Sequence, residues 1–370
     1  MRIGIDISQI SYQGTGVSRF TEGLINVILK EDNINTWIFF YSSLRNSLDP
    51  VLKEKIISSR HIVVQYKIPS TILAFLWNSL HILPIELFTG KLDLFISSDW
   101  TEPPSNCKKT TIIHDLAFTR YPETIHSKIL ANQKKRLYWV TKESDFIITD
   151  SLSTKNDLMH YFNFDENRII VIYPGVNQTV LANIFTKKTL TKFHLKEPFI
   201  FTVGKIEPRK NLKRLIAAYL QLKADDSIPD LVIAGQKGWE DESDFLPKKN
   251  KKIHFLGYIS DTELADLYRS CLFFIYPSLW EGFGYPIIEA MIHKAPVATS
   301  NSSSMAEIAH NSALLFDPLD IDSIAHAIKE LIENKNLRLD LQKKGTIRAE
   351  DFTWSTYYQK LIHIINKNIL

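Results

Sequence analysis

"LFFIYPSLWEGFGYPIIEAMIHKAPVATS", residues 272–300, reads as a single supersecondary unit. The apolar run Leu272–Ser278 has the composition of a strand covered on both faces. A loop with Gly282 and Gly284 follows, then a helix over Pro286–His293, then the β-branched run "PVATS". Strand, helix and strand in that order make a parallel βαβ unit. Two acids, Glu281 and Glu289, stand in this otherwise apolar stretch with seven residues between them. The glycines let the loop backbone approach a ligand, and Pro286 suits a first helical turn whose N–H groups and positive dipole end face the loop. An anion belongs at that helix end, while carboxylates accept hydrogen bonds well from hydroxyls. A ligand carrying both phosphate and sugar hydroxyls accounts for the pair.

The same alternation extends along the chain. "RIGIDIS" reads as a strand, "QISYQGTG" as a loop, and Val17, Phe20, Leu24 and Val27 as one helical face capped by Ser18. "DLFISS", "TTIIH", "DFIITD" and "RIIVIYPG" continue a first α/β series. Between Asn177 and Pro198 the pattern loosens into a polar, lysine-rich interval, which is where a domain boundary is expected. "PFIFTVG", "DLVIAG", "KIHFLG", the opening stretch and "SALLFDP" form a second series, and "IDSIAHAIKELIENKNLRLDLQKKG" reads as amphipathic helix. Two doubly wound domains in tandem are expected to bind ligand in a cleft at their carboxyl strand edges.

The 370 residues exceed what one core usually organises, and 45% hydrophobic with 23% charged residues is ordinary globular composition. A net charge of +3, without zinc-finger spacing or an RNA-binding signature, gives no reason to expect a nucleic-acid partner. Cys107 and Cys271 alone do not make a disulfide scaffold. "MRIGIDISQI" puts charges where a signal peptide needs an apolar run, so a cytoplasmic chain is expected. The sequons beginning at Asn177 and Asn301 then read as chance. The longest apolar stretch, Ile68–Phe88, is interrupted by Asn78, His81 and Pro84 and reads as a buried or interfacial helix rather than a membrane span.

"SLWEGFGYPIIEAM" resembles the E-x7-E segment of the retaining glycosyltransferases of the GT-B fold, family 4, with both acids, the glycines and the proline coinciding. The resemblance implies Glu281 beside the donor sugar and Glu289 on the ribose hydroxyls, with Gly282, Phe283 and Gly284 lining the donor site. "FTVGKIEPRKNLKRLIAAY" is similar to the family's diphosphate-clamping loop, which makes Lys210 the first candidate and Arg209 the second, with Lys205 where arginine is frequent. "IIHDLAF" resembles the family's His-Asp pair and implies His114 at the donor sugar. "QGTGVSRF" is similar to its N-terminal glycine loop, implicating Gly14 and Gly16, and "HFLGYISDTEL" to the stretch bordering the base, implicating Tyr258. The family architecture implies an acceptor-side Rossmann-like domain over 1–180, a nucleotide-sugar-binding one over 181–350, and a helix over 351–370 crossing back to the first.

Within the family, "IGID", "GTGVSRF" and "GKIEPRKN" are most similar to bacterial mannosyltransferases of O-antigen and surface polysaccharide synthesis. That implies GDP-mannose as donor co-substrate and a lipid-linked oligosaccharide as acceptor; UDP- or dTDP-sugars, or a binding protein without turnover, are the alternatives. No metal cofactor is expected, because Lys210, Arg209 and a helix end supply positive charge, and Asp320-Ile-Asp322 reads as a helix cap rather than a metal motif. Lys294 and His310 depart from the family by standing where glycine is frequent. Lys134, Lys135 and Arg136 adjoin Leu137, Tyr138 and Trp139, and with the segment from Ile68 they predict peripheral contact with anionic lipid on the inner membrane face.

Overall fold

The computed structural model describes residues 1–12, 14–97, 99–176, 188–222, 228–238 and 250–369. The expected boundary at 180/181 and the Asn177 sequon lie outside the described residues. Two compact units are present, Met1–Gly175 with Thr353–Leu370, and Val176–Phe352.

The first unit holds a parallel sheet of β1 (Arg2–Asp6), β2 (Thr36–Ser42), β3 (Ile62–Tyr66), β4 (Leu94–Ser97), β5 (Lys108–Ile113), β6 (Phe146–Thr149) and β7 (Ile169–Val171). Their order is β3-β2-β1-β4-β5-β6-β7. β2 and β3, "TWIFFYS" and "IVVQY", escape the sequence reading although β2 is almost wholly buried. Helix Gly16–Glu31 starts earlier than expected: Thr15, not Ser18, is its cap, and the Thr15 side chain accepts from the Ser18 amide at 3.2 Å. The C-terminal helix Trp354–Ile369 buries Tyr357, Leu361 and Ile365, spaced four apart, in the same core as Leu24 and Ile28. Each such aliphatic burial contributes about 1.5–3 kcal/mol. Gly23 is required at this contact, since a Cβ there would lie 2.0 Å from the Trp354 indole.

The stretch from Ile68 is not one helix. Ser70–Ala74 passes into a π-helical turn, Phe75–Leu80, which His81 ends in the left-handed region at φ 52°. Trp77 is buried, whereas Ile72, Phe75, Leu80, Ile82 and Leu87 remain exposed, the last at 68%. Lys135 Nζ donates to Ser79 Oγ at 3.0 Å and Trp139 Nε1 to the Asn78 carbonyl at 3.0 Å, fixing the helix Ser127–Glu143 beside this apolar face. His81 stacks on Trp139 at 3.6 Å between ring centroids and pairs with Glu143 at 2.7 Å. Arg136 does not join the surface basic patch: it is buried and donates to Thr111 Oγ1 at 2.9 Å. Leu137 is also buried, so between 134 and 142 the exposed residues are Lys134, Lys135, Tyr138 and Lys142.

The second unit holds β8 (Phe199–Val203), β9 (Asp230–Ala234), β10 (Ile253–Phe255), β11 (Phe273–Tyr276), β12 (Val297–Ser300) and β13 (Leu314–Phe316), all parallel, in the order β10-β9-β8-β11-β12-β13. The chain builds outward from β8 to β10 and then returns to lay β11 on the other side of β8, so the strand order reverses between those two strands. Ligands of doubly wound sheets bind outside the carboxyl ends at such a switch point. The long C-terminal amphipathic stretch is two helices, Ile321–Glu333 and Lys335–Ala349; Asn334 interrupts it and caps the second through the Leu337 amide at 3.0 Å. Lys294 and His310 adopt φ of 63° and 49°, conformations that glycine takes without strain.

Candidate active site

The loops after β8 and β11 bring Arg209, Lys210 and Glu281 together. Arg209 and Lys210 lie in the 3-10 turn Pro208–Lys210. Asn211 then takes the left-handed conformation, φ 58°, and donates from Nδ2 to the carbonyls of Pro277 and Pro318 at 3.0 and 2.7 Å. Asparagine tolerates that backbone, and its amide ties one loop to the other. The Leu279 amide donates to the Arg209 carbonyl at 2.8 Å, a second tie.

Glu281 is buried, with both carboxylate oxygens engaged. Its Oε1 lies 2.6 Å from Lys210 Nζ and accepts from Tyr276 Oη at 2.9 Å and Ser278 Oγ at 2.5 Å; its Oε2 lies 2.7 Å from Arg209 Nη1. Burial alone would raise the Glu281 pKa, but the charges of Arg209 and Lys210, with the Lys210 and Ser278 hydrogen bonds, pull it down to about 2. Burial, aided by Arg209 and opposed by Glu281, holds Lys210 below the ordinary lysine value. Burial and Glu281 push the Tyr276 phenol well above its ordinary value, so it stays a donor. Arg209 also binds Glu207 at 2.9 Å. The Glu281 backbone is pinned by the Ser303 and Ser304 hydroxyls at 3.1 and 2.8 Å.

Glu289 lies on the helix Tyr285–Ile292 and accepts from Tyr268 Oη at 3.2 Å. Gly284 opens that helix at φ 103°, leaving its first turn without a side-chain cap. Gly282 is buried, and the Phe283 ring packs against Tyr285 and Phe352 with centroids 5.1 and 5.6 Å away. Lys205 and Tyr258 are exposed, Tyr258 at 68%. Asp320 caps helix Ile321–Glu333, accepting from the Asp322 amide at 2.9 Å.

In the first unit, Gly14 has φ 79° and Gly16 opens its helix. His114 follows β5 and its Nδ1 meets Asp150 Oδ2, just after β6, at 2.7 Å; Phe20 packs edge-on against the imidazole at 4.6 Å. Burial alone would depress the His114 pKa, but the Asp150 charge and hydrogen bond outweigh it, and the imidazole is held above its ordinary value.

Asp150, Tyr276, Ser278 and Glu207 are the site residues that sequence reasoning missed. Asp150 and Ser278 close runs read only as strands and Tyr276 lies inside one, and a polar residue closing an otherwise apolar run was the available signal for the first two.

A family model described as Glycosyltransferase Family 4 matches residues 16–180, and one described as Glycosyl transferases group 1 matches residues 185–348, together well over half of the chain. The chain belongs to glycosyltransferase family 4. The O-antigen chain mannosyltransferase B of Escherichia coli is 28% identical to this family 4 chain over 255 residues, covering 67% of each. The serotype-specific mannosyltransferase WbdA of Escherichia coli is 24% identical over 289 residues, 73% of this chain but 35% of WbdA. This chain therefore spans about two thirds of the first relative and about a third of the second. The crystal structure of Anabaena HepE in complex with UDP and glucose shares the fold, with a TM-score of 0.71 at 16% identity, covering 99% of this chain and 100% of HepE. Two parallel-sheet Rossmann-like units make this a GT-B glycosyltransferase fold.

Proposed function

We propose that this glycosyltransferase moves mannose from GDP-mannose onto a lipid-linked oligosaccharide during bacterial O-antigen or surface-polysaccharide synthesis, with retention of anomeric configuration and without a metal. The observation that carries this reading is the cluster of half-buried Arg209 and Lys210 on buried Glu281 at the β8/β11 switch point. The choice of mannose is supported by the relatives' names. Arg209 and Lys210 take the charge that develops on the departing diphosphate, a contact worth more in the transition state than in the ground state. Glu281 accepts from donor-sugar hydroxyls and Glu289 binds the ribose. Lys205, Tyr258 and the Gly282–Gly284 backbone complete the second unit's share of the donor site, and the family resemblance gives Gly14, Gly16 and His114 of the first unit to the same substrate. The leaving phosphate assists deprotonation of the acceptor hydroxyl as it attacks from the same face.

A UDP-sugar donor is the second reading, favoured by the UDP complex of the HepE neighbour. Turnover measured across GDP-, UDP- and dTDP-sugars separates the two; turnover of none would contradict both.

We also propose that the first unit rests on anionic membrane at the cytoplasmic face. Support comes from exposed Phe75, Ile82 and Leu87 beside exposed Lys134, Lys135 and Lys142, apolar and cationic residues on adjoining elements. Among the described residues no helix is long and apolar enough to cross a membrane.

A further inference from the structure

Glu281 is bound as an anion would be. One oxygen faces Lys210 Nζ at 2.6 Å and the other faces Arg209 Nη1 at 2.7 Å, with Tyr276 and Ser278 hydroxyls adding two donors to the first. Paired cations converging on two oxygens are the groups that recognise phosphate. Glu207 and Glu281 between them balance Arg209 and Lys210. A diphosphate arriving at these two cations would meet a buried carboxylate on the same donors, and like charges at such range are costly in a desolvated site. Protonation does not remove the obstacle, since the Glu281 carboxyl is pulled down to about 2.

We propose that Glu281 is the chain's own stand-in for the donor diphosphate: it neutralises Arg209 and Lys210 between turnovers and is exchanged off them when the diphosphate arrives. The proposal rests on the reading of this cluster as the donor site. Exchange needs only a side-chain rotation, because the Glu281 backbone is held by Ser303 and Ser304 and the loop by Asn211. The released carboxylate keeps the Tyr276 and Ser278 hydroxyls within its reach and becomes available to sugar hydroxyls. One residue thus acts in turn as counter-anion and as hydrogen-bond acceptor for the sugar hydroxyls, and Tyr276 and Ser278 are its positioning residues.

The test is calorimetric titration of the full chain with GDP, UDP and GDP-mannose. Glu281→Gln keeps the shape and removes the competing charge. It is expected to bind the preferred nucleoside diphosphate about tenfold tighter than wild type, with a smaller gain for the sugar nucleotide, whose hydroxyls lose a charged acceptor. Lys210→Ala is expected to bind both more weakly. Unchanged or weaker diphosphate affinity in Glu281→Gln, with Lys210→Ala impaired, overturns the exchange and leaves the donor-site reading standing. Unchanged affinity in Lys210→Ala overturns both. If Glu281→Gln fails to fold, Ser278→Ala, which loosens the carboxylate, should still bind diphosphate about two- to threefold tighter, and no gain there overturns the exchange.

Discussion

Arg209 Nη1 lies 2.7 Å from Glu281 Oε2, an ion pair joining the loop after β8 to the loop after β11. With Lys210 on the other oxygen, three residues read separately in the sequence form one charge network around a buried carboxylate.

Lys210→Ala is expected to lower transfer by about 10²- to 10³-fold, the effect of losing one preorganised contact to developing charge. Glu281 keeps Arg209, Tyr276 and Ser278 as partners, so the variant should remain folded. Single-turnover rates with circular dichroism check both halves, and a rate within threefold of wild type would exclude Lys210 from the chemistry.

Glu289→Ala is expected to weaken nucleoside diphosphate binding about tenfold and to move kcat and KM unlike Glu281→Ala, which should mainly slow transfer. Ribose contacts persist in ground and transition states alike, whereas a group at the reacting sugar acts differentially. Steady-state kinetics alongside titration separate them; wild-type affinity in Glu289→Ala would contradict the ribose assignment.

The His114–Asp150 pair gives a signed pH dependence. Because the folded His114 pKa lies above the ordinary value of about 6.5, its stabilising contribution is fully present below that value and is lost as pH rises through the folded one. Wild-type Tm should therefore fall across that window more than the Tm of Asp150→Asn does. An NMR titration of the His114 ring should show a lower midpoint in the variant, and an equal one would remove Asp150 as the cause.

Flotation with vesicles containing anionic lipid should carry the wild-type chain upward at low salt. Leu87→Asp combined with Lys134→Glu and Lys135→Glu should stay at the bottom while retaining donor hydrolysis, since none of the three belongs to the donor site. Equal flotation of both proteins would sink the membrane proposal.

Transfer from GDP-α-mannose should continue in excess EDTA and yield an α-linked product, read from the anomeric proton–carbon coupling. A β-linked product, or activity restored only by manganese, would overturn the retaining, metal-independent mechanism.

Apolar runs and helical spacing marked most of the strands and the main helices, because those signals are local: a strand covered on both faces must be apolar along its length. The E-x7-E spacing likewise marked Glu281 and Glu289, since the strand, loop and helix between them are contiguous. β2 is as apolar as its neighbours but carries no motif beside it that sets it apart, and the helix begins two residues before Ser18 because Thr15 caps it. Tertiary structure alone decided what the charges meet. Arg209 and Lys210 reach Glu281 only because β11 returns beside β8, and Asp150 reaches His114 only because β6 pairs with β5. Arg136 turned inward from a run of basic residues for the same reason: a buried Thr111 hydroxyl awaited it on β5. Sequence periodicity fixes which face of an element is apolar, whereas strand order and side-chain rotamers fix which distant polar groups converge, and those depend on packing across the whole unit.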